Sequence, residues 1–97
     1  MAVYSINSEV PQPALKAAIE RVYPDRHYHF SETVTFVRAS ATAQSVAISL
    51  GVKTLDVTGN VVGQFAQTAV VQLAPSYWGW SKSAGWEWLK SAFEAGD

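Results

Sequence analysis

Thr68-Ala69-Val70-Val71-Gln72-Leu73-Ala74 is the stretch on which the fold of this chain turns. It is too short for a helix of its own, it is bounded by Pro75, and it is apolar on both faces. That pattern suits a strand in the middle of a covered sheet. Directly after it the chain runs through Tyr77-Trp78-Gly79-Trp80 and on to Trp86-Glu87-Trp88-Leu89, so all four tryptophans fall within eleven residues. An aromatic segment so placed either seals a core or presents a surface.

Working outward, the chain before this strand divides into short periodic pieces. Val3 to Ile6 is β-prone and is broken by Asn7-Ser8-Glu9. Pro13 suits the first position of a helix, in which Leu15, Ala18, Ile19 and Val22 recur at i, i+3, i+4 and i+7. Pro24 ends that helix, because the residue before a proline avoids the α region. His27-Tyr28-His29-Phe30 alternates, with Tyr28 and Phe30 on one face and His27 and His29 on the other. A turn at Ser31-Glu32 leads into Thr33 to Arg38, which alternates again with Val34 and Phe36 inward, and the two strands pair antiparallel. Thr42 is an N-cap for a second helix with the stripe Ala43, Val46, Ala47 and Leu50, closed by Gly51 in a left-handed conformation. Lys53 to Gln67 reads as a small hairpin or an ordered loop, with a turn at Thr58-Gly59-Asn60. After the last strand, Ser81 or Ser83 caps a short helix whose stripe is Trp86, Leu89, Ala92 and Phe93, with Trp88 towards the wetter side.

Strand, helix, strand, strand, helix, strand is the ferredoxin-like split βαβ pattern. The expected fold class is α+β: a βαββαβ antiparallel sheet in the order 4-1-3-2, two helices on one face and a short C-terminal helix. The 97 residues make one domain, and a chain of that size buries roughly 60–68% of its unfolded surface.

Composition narrows the function classes. Seven basic and eight acidic residues leave a net charge of −1, which argues against strong non-specific nucleic-acid binding. Only 15% of residues are charged, low against about 25%, and with so many aromatics this points to apolar surface shared with a partner. Without cysteine there is no disulfide, no thiolate zinc site and no cysteine nucleophile. The N-terminus lacks the basic and apolar segments of a secretory signal, and no apolar run approaches the ~20 residues of a membrane span. The expectation is a soluble, cytoplasmic protein.

The opening Tyr4-Ser5-Ile6-Asn7, the strand Val70-Val71-Gln72-Leu73, the turn Trp78-Gly79-Trp80 and the close Ala84-Gly85-Trp86-Glu87-Trp88-Leu89 resemble the small SinR-like proteins. These are distant relatives of virulence-associated protein D and of the small CRISPR-associated ferredoxin-like nucleases. The resemblance implies a ferredoxin-like fold and a homodimer. In the related nucleases an acidic residue at the end of the first strand holds a metal. Here that place reads Asn7-Ser8-Glu9, so Glu9 is the one acidic candidate.

Candidate chemistry is sparse. His27 and His29 at i, i+2 have the spacing to share a metal, and equally that of two exposed polar positions on the outer side of a hairpin. Arg26 and Arg38, with Arg21 and Lys53, are the residues for a basic patch, and with His27 and His29 they are the nucleic-acid candidates. Tyr77, Trp78, Trp80 and Trp88 have three readings: core closure, a dimer or partner interface, and stacking of bases. Trp86 belongs to the core. No serine sits in a nucleophile elbow and no glycine run makes a phosphate loop. No cofactor or resident metal is called for. The expected function is a non-catalytic dimerising interaction module with a protein partner. The alternative is a metal-dependent ribonuclease or RNA-binding protein with Glu9 at the dimer axis.

Overall fold

The computed structural model describes residues 1–76, Gly79 and residues 83–94. A four-stranded antiparallel sheet is built from β1 (Ala2–Ser8), β2 (His27–His29), β3 (Val34–Ala39) and β6 (Thr68–Leu73), in the order β2-β3-β1-β6. A separate two-stranded hairpin, β4 (Thr54–Leu55) with β5 (Val61–Val62), interrupts the path to β6. The last sheet strand is therefore the sixth of the chain. Three helices complete the α+β fold: α1 (Pro13–Val22), α2 (Ala43–Leu50) and α3 (Ser83–Glu94).

The middle of the sheet belongs to β1, not to the apolar run at its end. β1 pairs with β3 on one side, Ser5 opposite Phe36, and with β6 on the other, Ser5 opposite Val71. Val3, Tyr4, Ser5 and Ile6 are all buried, whereas β6 has one neighbour and leaves Val71 50% exposed. An apolar pattern reports what a strand could bury. It does not report which strand is given two partners.

Each face of the sheet has its own core. On one face α1 and α2 bring Leu15, Ile19, Val46, Ala47 and Leu50 onto Tyr4, Ile6 and Val37. On the other, Leu89 and Ala92 of α3 pack with Val3 and Phe36. Burying side chains of this kind stabilises by about 1.5–3 kcal/mol each.

The helix ends follow their sequence signals. Pro13 opens α1, and Gln12 is no cap; its amide instead donates to Ala66 O and Thr68 Oγ1, both at 3.0 Å, tying α1 to the start of β6. Thr42 Oγ1 accepts from Ser45 N at 3.1 Å, and Gly51 closes α2 at φ 83°.

Three expectations are corrected. The β2–β3 connection runs from Phe30 to Thr33, longer than a Ser31-Glu32 turn, with Phe30 N and Ser31 N both donating to Val34 O. The pair lacks the Asn-Gly or Asp-Gly that a two-residue hairpin turn demands. Ser83 is the first residue of α3 and not its cap, while Ser81 lies outside the described residues. The buried stripe of α3 is Gly85, Leu89 and Ala92, with Trp86, Trp88 and Phe93 each half-buried beside it. The helix is thus rolled towards Trp88, whose ring lies 6.3 Å from both Tyr28 and Phe36. Aromatic packing on the sheet offsets the burial that Trp86 was expected to supply. Among the described residues no helix is long and apolar enough to cross a membrane.

Candidate functional site

Two features stand out, one on a face of the sheet and one along its edge. The first gathers residues that the sequence scatters. Arg38 is on β3 opposite Val3, hence on the face covered by α3. Its amide donates to Arg26 O at 2.9 Å, which holds the segment before β2 against the end of β3. Trp88, Ser91 and Ala92 of α3 close over this point. Together with Asp25 they line a cleft of about 210 Å³. Two arginines, an aspartate, a tryptophan and a serine thus border one small space. Arg38 Nε is shut off from solvent and has no hydrogen-bond partner.

The two histidines are not part of that site. They share a face, with ring centroids 4.8 Å apart, but it is the face covered by the helices and not the outer one. His27 Nδ1 is 2.6 Å from Tyr23 O, and His29 Nδ1 is 2.8 Å from Thr35 Oγ1. His29 Nε2 lies 3.5 Å from Glu20 Oε1. Burial is the main cause that lowers the His29 pKa below its usual 6.5, helped by His27 and Lys16 and opposed by Glu20. Pro24 ends α1 just before β2, so the strand returns beside the helix it follows, and its odd residues point at that helix.

Glu9 is exposed at the far end of β1, where its amide donates to Gln67 O at 3.0 Å. Around it Asn7, Ser8, Gln67, Thr68 and Ala69 form an open depression. Among the described residues no group of three His, Asp or Glu side chains comes together to hold a metal ion. Arg21 is exposed on α1. Lys53 lies apart from the arginines, in a cleft with Thr54, Thr68 and Val70. Of the four aromatic candidates, Tyr77, Trp78 and Trp80 lie outside the described residues, and Trp88 is the half-buried wall of the arginine cleft.

The second feature is the outer edge of β6, which among the described residues pairs with no second strand. The Glu9–Gln67 bond shows that Gln67 faces β1, and antiparallel alternation then turns the backbone of Thr68, Val70 and Gln72 outward. Beside this edge the β4–β5 hairpin leaves Leu55, Val57 and Val61 exposed by 53, 90 and 63%. The signal for this surface was in the sequence: no Asp, Glu, Lys or Arg occurs from Val57 to Ser81.

No family model, no curated protein and no solved structure matches this chain.

Proposed function

We propose that this protein is a non-catalytic interaction module that pairs with a second copy of itself along β6. The observation that carries the reading is an unpaired, uncharged, largely apolar edge strand. Soluble proteins ordinarily blunt such an edge with lysine, proline, a bulge or a covering element. Here residues 68–73 carry none of those residues, and Val71 is half exposed. A second copy suits the edge because an uncharged strand meets its own image without like-charge repulsion, and a two-fold axis makes the contact self-complementary. Centred on Val70, antiparallel pairing sets Thr68 opposite Gln72 and Ala69 opposite Val71. Lys53 and Thr54, which lead into the hairpin, share a cleft with Thr68 and Val70, which sets the exposed apolar residues Leu55, Val57 and Val61 on an element next to the strand.

The architecture belongs to the same reading. With the β4–β5 hairpin set aside as an insertion, the four sheet strands run 4-1-3-2, which supports a ferredoxin-like arrangement. Kinship with the SinR-like proteins is part of the same proposal and rests on the short sequence resemblance alone.

Light scattering over a concentration series tests the proposal. The expected result is a dimer mass that falls to the monomer in Val71→Lys while the far-UV circular dichroism is unchanged. A wild-type protein that stays monomeric at the highest concentration would overturn it.

A further inference from the structure

We propose that the cleft between the end of β3 and α3 binds a small carboxylate with an apolar body. Arg38 anchors the site. The residue lines the cleft, its Nε is sealed from water without an acceptor, and no carboxylate pairs with it among the described residues. One donor of this partly buried cation is thus left unsatisfied, which costs free energy, and its charge has no carboxylate paired with it. Arg26 brings a second positive charge to the same wall, and its place is fixed by the bond from Arg38 N to its carbonyl. Asp25 removes one of the two, leaving a net charge of +1 on the lining. One negative charge balances that cleft. A guanidinium presents its donors in a planar fork that matches the two oxygens of a carboxylate.

The rest of the lining sets the body of the ligand. Trp88 and Ala92 form an apolar wall, and the indole is held at 6.3 Å from Phe36 and Tyr28, so it is positioned before any ligand arrives. Ser91 adds a hydroxyl. A volume of about 210 Å³ takes a single ring and its acid, below the usual range for larger ligands. The site is independent of the β6 edge, which lies on the opposite side of β1 from β3.

The test is a calorimetric titration of the full chain with phenylacetate, acetate and phenylphosphonate, with tryptophan fluorescence as a second readout. Phenylacetate is expected to bind with a Kd of about 1 mM or tighter. Acetate, which lacks the ring, is expected to bind about tenfold more weakly. Arg38→Gln and the surface variant Arg26→Gln are each expected to weaken phenylacetate by about tenfold, the loss of one charge-assisted contact. Circular dichroism certifies that each variant is folded, and Arg26→Gln carries the test if Arg38→Gln is not. Absence of phenylacetate binding at roughly 10 mM, far above the expected Kd, overturns the site. So does equal binding by the folded variants. Tighter binding of phenylphosphonate than of phenylacetate overturns the carboxylate assignment. None of these outcomes depends on whether the protein dimerises.

Discussion

His29 Nε2 stands 3.5 Å from Glu20 Oε1, yet the histidine is harder to protonate than a free imidazole. Burial disfavours the cation, and His27 and Lys16 add repulsion that the carboxylate does not cancel. The folded pKa is therefore below the unfolded value of 6.5, and the unfolded chain binds the proton more readily. The stabilisation is fully present above pH 6.5 and is lost as pH falls through the lower, folded value. We expect thermal stability to be flat from pH 8 to 7 and to decline below 6.5. His29→Gln, which keeps a polar partner for Thr35, should flatten that decline. Melting curves across this range that are superimposable for both proteins would contradict the assignment.

Trp88 is the part of α3 that meets the aromatic face of the sheet. Replacing it with alanine should destabilise the fold by about 2–3 kcal/mol, below the usual cost for a fully buried tryptophan because the side chain is only partly buried. Trp88→Phe should recover more than half of that. Urea unfolding at constant m-value measures both. A Trp88→Ala protein as stable as the parent would mean that α3 is not held to the sheet by this contact.

Gly63 lies at φ 84°, where side chains are disfavoured, and a methyl there would be 2.8 Å from Gly51 O and closer still to Val52 O. Those carbonyls belong to the tie between the end of α2 and the hairpin, where Gly51 O also accepts from Gln64 N and Phe65 N. Gly63→Ala is expected to cost about 2–4 kcal/mol, since strain and a backbone clash act together. Hydrogen exchange should show the loss first at Lys53, whose amide donates to Phe65 O. An alanine variant within experimental error of the parent would refute the close approach.

Gln72 is exposed on β6, and its amide points away from β1 by the alternation of the ladder. Proline there removes an outward donor and no bond of the sheet, a substitution that edge strands tolerate. Gln72→Pro should leave the melting temperature of the monomer within a few degrees, the shift that about 0.5 kcal/mol produces, and weaken self-association at least tenfold. Sedimentation equilibrium gives the association constant directly. An unchanged constant would show that any dimer forms elsewhere.

Much of the fold was legible because its signals are local. Pro13, Pro24, Thr42 and Gly51 mark helix ends by constraints on one or two residues, and of the stripes of α1 and α2 Leu15, Ala18, Ile19, Val46, Ala47 and Leu50 are buried, while Val22 is exposed and Ala43 only partly covered. What was not legible depends on partners far away in the chain. The apolar pattern of Thr68 to Leu73 alone suits a central strand, and it is pairing across sixty or more residues that seats this run at the edge beside β1. The roll of α3 towards Trp88 follows from Tyr28 and Phe36 on distant strands, which no helical periodicity reveals. The site divided in the same way. Arg26 and Arg38 were singled out together, but Trp88 reaches them only through α3, and the histidines leave them because alternation sends those side chains to the other face.

The central position of β1 also sets the order of events in folding. Its hydrogen bonds to β3 close a loop of about thirty residues, and those to β6 a loop about twice as long, from Ser8–Thr68 outward to Val3–Leu73. Doubling a loop adds only about 0.6 kcal/mol of closure entropy, so the cost is one of timing more than of stability. A chain emerging N-terminus first can assemble β1, α1, β2 and β3 at once. The flank of β1 that awaits β6 stays open until about thirty residues beyond β3 have been made. During that interval the nascent protein carries a strand paired on one side only, with the residues Val3 to Ile6 that the finished fold buries. The last sheet strand acts as the latch that withdraws it from competing contacts.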